Sequence, residues 1–355
     1  MEGKKIDPDD SKGLNPNASD FTPKSQVEES KQDLKADADS FEPSTIISVE
    51  SYETHAVSHI KSAEKFIGRY SLLNFILYDN FTTYDAIEDT WTTYSEWTLK
   101  SKAPEAKHCR ALMISANSFI ITGGLNEEAL KHSYHADIST GFGTSTNILE
   151  VYEMQEARYL HGVALFNNKV YAIGGQNSAS SYLSSVEVFE NGCWTLKAPL
   201  NRPRSSFTVV VNNSAIWVAG GFVGACEVCN SIEKYQGGEW VLIDANVNML
   251  AGMTAIPRDK FNSSFYIVGG SDGNEISKRV LVFNTENSRF DEDQQELLYP
   301  RAGAVGCWDG NTFWLVGGGQ LIGECWNGQK KSETKSMPLS IYAQIESASF
   351  MKSRE

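Results

Sequence analysis

The chain reads Val170-Tyr171-Ala172-Ile173-Gly174-Gly175 near its middle, and this apolar run ending in two glycines decides the fold. A glycine pair follows a comparable apolar run at four other places, about every fifty residues. The ten glycines are Gly123, Gly124, Gly174, Gly175, Gly220, Gly221, Gly269, Gly270, Gly317 and Gly318. This period indicates one supersecondary unit copied along the chain, and the copies must stack to bury their apolar faces.

Each unit carries the signals of four antiparallel strands. After Gly175 the chain reaches an alternating run that ends at Phe189, then the turn Asn191-Gly192, then Trp194. Asn-Gly between two apolar runs is a strong hairpin signal, because both residues tolerate positive φ. Alternating apolar runs separated by glycine and asparagine favour strands over helices. We expect the glycine pairs to be structural, because strand ends without Cβ atoms let neighbouring units approach closely.

The repeated pattern resembles the kelch family of β-propellers, over roughly residues 70–350. The resemblance rests on the five apolar-Gly-Gly ends, on the Tyr or Phe that follows and on the Trp after it. It implies an all-β fold, and a protein-interaction module that acts as an adaptor or scaffold for a protein partner. Many members also carry a BTB or F-box segment, but residues 1–70 show neither. Actin binding, also known in the family, has no specific motif here.

Two half-units at the ends of the chain predict a sixth blade. Upstream, Tyr84 and Trp91 repeat the aromatic spacing without a preceding glycine pair. Downstream, residues 337–340 resemble residues 198–201, which precede an innermost strand. We therefore predict a six-bladed kelch-type propeller over residues 45–350, closed by N-terminal strands and a C-terminal strand at 345–350. Such closure leaves no free sheet edge between the first and last blades.

The first complete unit is longer than the next two. Tyr152 follows Gly124 at twice the interval that separates Gly175 from Phe189. We therefore place an insertion at residues 126–146. Because no Trp follows Tyr152, we also expect the outer strand of this unit to be short or missing. The fourth unit carries a shorter insertion at 257–262.

Composition narrows the classes of function. The chain has 31 basic and 45 acidic residues and a net charge of −14, which argues against nucleic-acid binding and against an anionic membrane surface. Residues 1–44 are polar and charged, so we expect a disordered acidic tail. No apolar segment resembles a signal peptide or membrane span. We expect a monomeric cytoplasmic protein, with nuclear location left open, and reduced cysteines.

Two short motifs contain residue types that bind metals. Cys226 and Cys229 have the spacing of a zinc or redox pair, but no second ligand pair stands at a typical distance. We interpret them as ordinary thiols, with a redox sensor as the alternative. His132, His135 and Asp137 fall in the long insertion and suggest either a metal site or a polar loop. The pattern predicts no metal and no cofactor.

The repeats also align a set of basic residues. Counting back sixteen residues from the first glycine of each pair gives Lys107, Arg158, Arg204 and Arg301, while Leu250 takes the place in the fourth unit once its insertion is allowed for. Kelch propellers often bind acidic peptide segments through arginines near this position, so the resemblance implies a partner-binding ring around the channel. Arginine suits this role because it forms bidentate, charge-assisted hydrogen bonds. The alternative is structural, with these side chains bonded to loop carbonyls or neighbouring carboxylates.

No catalytic motif is present. The chain lacks a Gly-x-Ser-x-Gly elbow, a His-Glu-x-x-His motif and a P-loop. Kelch-like enzymes include galactose oxidase and sialic acid mutarotases, and the six scattered histidines do not define a copper site like that of the former. The alternative to an interaction module is thus a propeller enzyme or a small-molecule binder that takes an acidic sugar in the central pocket.

Overall fold

The computed structural model describes thirteen segments of the chain. They are residues 72–76, 81–85, 90–94, 106, 108–115, 118–137, 147–212, 214–224, 227–258, 263–308, 312–320, 322–326 and 331–336. Within these segments the chain forms strands β1 to β27 and no α-helix, so none of their elements is an apolar helix that could cross a membrane. The predicted tail at 1–44, the predicted strand at 345–350, Lys107 and Cys226 lie outside the described residues.

The described strands form five four-stranded antiparallel sheets, which we number as blades 1 to 5 in chain order. Blade 1 contains β4 (Arg110–Ser115), β5 (Ser118–Thr122), β6 (His132–Asp137) and β7 (Asn147–Glu153). Blade 2 contains β8 (Gly162–Phe166), β9 (Lys169–Ile173), β12 (Val186–Glu190) and β13 (Cys193–Lys197). Blade 3 contains β14 (Thr208–Asn212), β15 (Ala215–Ala219), β18 (Ser231–Gln236) and β19 (Glu239–Asp244).

The remaining strands complete the arrangement. Blade 4 contains β20 (Thr254–Pro257), β21 (Ser264–Val268), β22 (Arg279–Asn284) and β23 (Arg289–Glu296). Blade 5 contains β24 (Ala304–Trp308), β25 (Phe313–Gly317), β26 (Ile322–Trp326) and β27 (Lys331–Ser336). A three-stranded sheet contains β1 (Leu72–Ile76), β2 (Phe81–Asp85) and β3 (Thr90–Tyr94). Two small hairpins are formed by β10 (Gln176–Ser178) with β11 (Ser181–Tyr182) and by β16 (Phe222–Gly224) with β17 (Glu227–Val228).

The all-β, four-strand repeat predicted from the sequence is confirmed, and the arrangement is a kelch-type β-propeller. The described residues form five complete blades, whereas six were predicted. The N-terminal strands do form a sheet, but it has three described strands. The strand expected to complete it, at 345–350, lies outside the described residues, so closure by that strand stays a prediction.

Blade 1 differs from its predicted form. Its outer strand was expected to be short or missing, yet β7 has seven residues and pairs along its length with β6. The error arose because Tyr152 was matched to the aromatic residue that ends the third strand of the other blades. Tyr152 lies instead on β7, opposite Ser133 of β6. The extra residues therefore separate the third and fourth strands.

The core lies between adjacent blades. The first strands β4, β8, β14, β20 and β24 contact one another in that order, so they surround the centre of the propeller. All five side chains of β15 are buried because both of its faces are covered. Along β15, Ile216 and Val218 pack towards blade 2, whereas Ala215, Trp217 and Ala219 pack towards blade 4. Because of this alternation, the second strand contributes side chains to the apolar core on both sides of its blade.

Candidate functional site

One end of the propeller carries the loops that join the second and third strands of each blade. In blades 1 to 4 these loops are short hairpins at residues 125–130, 176–182, 222–228 and 271–276, where 225–226 are not described. The segment that leads into each blade lies beside the hairpin of that blade, as Tyr159 does with Gln176 and Ser205 with Phe222. We call this end the hairpin face. It gathers the most variable segments of the repeat on one surface.

A chain of backbone hydrogen bonds joins the blades beneath the hairpins. The five residues that form it each precede the first strand of a blade and have φ between +51° and +69°. They are His108, Leu160, Ser206, Gly252 and Gly303. The N–H group of each residue after His108 donates to the carbonyl of the one before it, at 3.2, 3.0, 2.6 and 2.8 Å along the series. We call this series the backbone ladder, and it identifies equivalent positions in all five blades.

The backbone ladder corrects the predicted alignment in blade 1. Arg158, Arg204 and Arg301 each stand two residues before their ladder residue. The residue two before His108 is Ala106, not Lys107. The count of sixteen residues fails here because the pairing of β4 with β5 shifts by one residue between Met113 and Ser115. Lys107, whose own placement is not described, is therefore not the equivalent of the three arginines.

The glycine pairs lie where neighbouring blades meet. All ten glycines have positive φ. A Cβ atom added to Gly123 would lie 2.2 Å from the carbonyl oxygen of Arg158 in the next blade, and one added to Gly269 would lie 2.2 Å from that of Arg301. Such separations are too short for any side chain, so these positions require glycine. The second glycine adds an inter-blade hydrogen bond, as Gly124 N–H does to Arg158 at 2.8 Å.

Arg158 lies inside blade 2 rather than on its surface. Its side chain has no exposed area, and Nη2 donates to Oε1 of the buried Glu187 at 2.7 Å. Nη1 donates to the carbonyl of Gly174 at 2.8 Å. Glu187 in turn accepts the backbone N–H groups of Gln155 and Glu156, at 2.7 and 3.0 Å. The pair thus holds the segment between blades 1 and 2 against the third strand of blade 2.

The same network recurs twice. In blade 3, Arg204 donates to Glu233 at 2.8 Å and to the Gly220 carbonyl at 3.1 Å. In blade 5, Arg301 donates through Nε to Glu324 at 2.8 Å and also to the carbonyls of Gly317 and Ile322. Burial lowers the pKa of Arg301, and the neighbouring Glu324 opposes that shift. These are structural ion pairs, each with its charge compensated inside the blade.

Sequence reasoning left two interpretations of these arginines open, and their placement favours the structural one. None of the three presents a guanidinium group to solvent, since each is at most 1% exposed. A buried glutamate 2.7–2.8 Å away offsets each positive charge. The sequence contained a signal for Glu187 and Glu233, which both stand thirteen residues after the first glycine of their pair. That regular spacing is the sequence signal that marks the two glutamates as equivalent positions.

The exposed charges within the four hairpins themselves are acidic. The described residues of the four hairpins include no Lys or Arg and five exposed carboxylates. These are Glu127, Glu128, Glu227, Asp272 and Glu275. Backbone N–H groups of Asn274 and Glu275 bond to Asp272 and lower the pKa of its carboxyl group, so it is ionised at neutral pH. Basic residues stand just outside the hairpins at Lys131, Arg202 and Lys278.

The histidine motif is part of a strand, not of a loop. His132 and His135 lie on β6, where their separation of three residues points them to opposite faces. His132 stacks on Tyr134 and lies 3.4 Å from Glu153. Among the described residues, no group of three or more His, Cys, Asp or Glu side chains is arranged to hold a metal ion. Asp137 is the last residue of β6.

The cysteine motif is described only in part. Cys229 is buried directly after β17, and its Sγ atom lies 3.0 Å from the hydroxyl oxygen of Ser231. Ser231 also receives a hydrogen bond from Arg204 at 2.9 Å. The Cys229 thiol therefore packs against the ion-pair network of blade 3. Its distance to Cys226 is not described.

Three comparisons with known proteins agree with this geometry. The Kelch motif model matches residues 157–201 and 203–243, which cover blades 2 and 3. Alpha-scruin from Limulus polyphemus is 27% identical over 134 residues, which is 36% of this chain but only 14% of alpha-scruin. The solved structure titled "Structure of YjhT" superposes with a TM-score of 0.60 at 13% identity, over 83% of this chain and 97% of that one.

These findings define the class of protein. The ring of four-stranded antiparallel blades is a β-propeller, and the likeness to YjhT, at that identity, supports the fold alone. The glycine pairs, the downstream aromatic residues and the matched motifs make the chain a kelch-repeat protein. Because the chain spans a small part of alpha-scruin, this similarity transfers neither a partner nor an activity.

Proposed function

We propose that this protein is an interaction module, an adaptor or scaffold, whose protein partner docks on the hairpin face. The proposal rests on a contrast within the repeat between shared residues that are buried and variable residues that are exposed. Residues shared between blades are buried in ion pairs, glycine contacts and the backbone ladder. Residues that differ between blades stand exposed on the hairpins. Loops held by a rigid scaffold are where binding residues concentrate.

The charge of these loops favours a partner with a basic surface. The sequence led us to expect a partner with an acidic segment, because the aligned basic residues predicted a positive ring around the channel. Three of those cations are enclosed and neutralised by glutamates, and the hairpins add five exposed carboxylates instead. Complementary charge accelerates encounter and excludes partners of the wrong sign. The preferred partner therefore presents Lys or Arg side chains to the hairpins of blades 1, 3 and 4.

The test is partner capture by proximity labelling, followed by affinity measurement with the recovered partner. The variant carries Glu127→Lys, Glu128→Lys and Glu275→Lys, all at exposed hairpin positions. Each exposed pair contributes up to about 1 kcal/mol, so three reversals should weaken binding tenfold or more. Binding by the parent should also fall as salt rises. Glu239→Lys with Asp244→Lys, on the exposed outer strand β19, is the matched control and should bind as the parent does.

Two results would contradict the proposal. Equal affinity of the hairpin variant and the parent would place the contact elsewhere, for example on the outer blade edges. Recovery of no protein partner, together with a metabolite that raises the melting temperature, would favour the small-molecule alternative instead. The acidic-sugar form of that alternative relied on the aligned cations, three of which are buried.

A further inference from the structure

The contact surface, or seam, between blades 1 and 2 contains a buried histidine at a position that is apolar in the three described seams from blade 2 to blade 5. His161 stands one residue after the backbone ladder, at the position that Phe207 and Met253 occupy in blades 3 and 4. All three side chains pack on the first glycine of the preceding blade, where His161 Cε1 would lie 3.0 Å from a Cβ atom on Gly123. His161 is 1% exposed. A titratable ring thus fills a space that an aromatic or thioether side chain fills elsewhere.

The opposite side of this seam is also polar. Thr122, the last residue of β5, is fully buried, and its hydroxyl oxygen lies 2.7 Å from Nε2 of His161. The equivalent residues in blades 2, 3 and 4 are Ile173, Ala219 and Val268, all apolar and buried. The polar pair therefore replaces two apolar partners together. This environment suits a neutral imidazole. Thr122 is the partner of Nε2, whereas Nδ1 has no partner among the described residues, so protonation would leave a buried N–H donor without an acceptor.

The charges that face His161 are positive. Arg158, on its own segment, is compensated by Glu187 at 2.7 Å. Arg110 on β4 donates through Nε to the carbonyl of His161 at 2.9 Å and through Nη1 to that of Cys109. Burial lowers the pKa of Arg110 to about 10, so it stays protonated at neutral pH. Burial, and then the charges of Arg158 and Arg110, hold the pKa of His161 well below 6.5.

We propose that this seam is an acid-sensitive joint, in which a proton on His161 adds an uncompensated third cation and loosens blade 1 from blade 2. A histidine whose folded pKa is depressed destabilises the fold as pH falls, because the unfolded state takes up the proton first. The free energy that opposes opening of the seam is thus largest above about pH 6.5 and falls as the pH drops below that value. Blade 1 also carries the hairpin with Glu127 and Glu128, so acidification would disturb the hairpin face.

The experiment compares chemical unfolding of the full chain between pH 7.5 and pH 5.5 for the parent and two variants. His161→Phe inserts the side chain that the next seam uses, and His161→Gln keeps a polar side chain without the titration. Below pH 6.5 the parent's unfolding equilibrium constant should rise by up to tenfold per pH unit more than that of either variant. Phe207→Leu, at the equivalent non-titrating position of the next seam, is the control and should keep the parent's pH profile.

A local measurement separates the seam from the rest of the molecule. After correction for intrinsic rates, amides of β4 and β5 should exchange faster at pH 5.5 than at pH 7.5, relative to those of β20 and β21. His161→Phe should abolish that difference. Parallel pH profiles for the parent and both variants would overturn the proposal, as would equal loss of protection in blades 1 and 4.

Discussion

Blades 3 and 4 adopt the same four-stranded sheet but fill one pair of equivalent positions with opposite chemistry. Blade 3 has Arg204 and Glu233, a buried ion pair at 2.8 Å. Blade 4 has Leu250 at the arginine position and Leu281 at the glutamate position, opposite Ile267 as Glu233 is opposite Val218. The two positions have changed together. A buried charge without its partner costs several kcal/mol, so the pair is exchangeable only as a unit.

Blade 4 secures its incoming segment by other means. In blade 3, Glu233 accepts the N–H groups of Asn201 and Arg202 at 2.6 and 3.0 Å. In blade 4, Arg279 donates to the carbonyl of Asn248 at 2.6 Å. Asn246 also exchanges two hydrogen bonds with the backbone of Phe290, at 2.7 and 3.0 Å. The side-chain contact to the outer strand is common to both blades, since Asn201 donates to the Trp240 carbonyl at 2.9 Å, so the contact specific to blade 4 is that of Arg279.

Blade 1 shows a third solution to the same problem. Ala106 takes the arginine position, and Tyr134, paired with Ile121, takes the glutamate position. Tyr134 is buried, and burial raises the pKa of its hydroxyl group, so the site stays neutral. No described blade keeps one charged member of the pair without the other. Net neutrality, rather than a particular residue, is what these positions preserve.

The largest expected effect comes from breaking the pair in blade 3. Glu233→Leu should lower the free energy of unfolding by about 3–5 kcal/mol, because Arg204 is left buried without a counter-charge. Chemical denaturation at pH 7 measures the loss. The control is Glu233→Leu with Arg204→Leu, which copies blade 4 and should recover at least half of the lost stability. A double variant no more stable than the single one would show that the blades are not interchangeable.

The contact between the two blades gives a smaller, separable effect. Gly220, at φ +68°, would place an added Cβ 2.3 Å from the carbonyl oxygen of Leu250. Gly237, at φ +67°, has no described atom within 4 Å of such a Cβ. Gly237→Ala should therefore cost only the left-handed backbone term, about 1–2 kcal/mol. Gly220→Ala should cost about 1–3 kcal/mol more, from overpacking.

Thermal and chemical unfolding of these two alanine variants measure the difference directly. Because their φ values are nearly identical, any excess in Gly220→Ala reports the approach of blade 4 to blade 3. Equal losses would mean that the two blades relax apart at no cost.

The smallest expected effect concerns the substitute contact in blade 4. Arg279→Met removes the hydrogen bond to Asn248 and keeps much of the side chain's apolar length. We expect a loss of about 0.5–1.5 kcal/mol, in the range of one hydrogen bond. The comparison is Arg204→Met in blade 3, which leaves Glu233 buried without its counter-charge. The loss of unfolding free energy there should be several times larger. Similar losses for the two substitutions would contradict the difference between the blades.

The repeat itself was predictable because its signals are local. Glycine pairs and Asn-Gly turns require particular backbone angles, and the structure has Asn191 at φ +53° and Gly192 at φ +77° as a two-residue hairpin demands. The misassigned strand in blade 1 shows where local reasoning stops. Tyr152 has the residue type of a third-strand aromatic, and only its pairing with Ser133 reveals that it lies on the fourth strand.

The site was harder to predict because burial depends on distant partners. Alignment identified Arg158, Arg204 and Arg301 correctly as equivalent positions, but exposure depends on glutamates 23 to 29 residues away. A single-residue irregularity between Met113 and Ser115 was enough to misplace the fourth member at Lys107. Spacing alone cannot detect such a shift, because it changes pairing without changing the residue pattern.

The backbone ladder has an evolutionary consequence. Its bonds use only peptide N–H and carbonyl groups, so they impose the backbone angle and leave the side chain unspecified. The five positions have accordingly diverged to His, Leu, Ser, Gly and Gly. A substitution at a ladder position that tolerates this backbone angle would therefore leave these inter-blade bonds in place. Substitutions in the hairpins can therefore change the hairpin face of one blade at a time, while the backbone ladder that joins the blades remains intact.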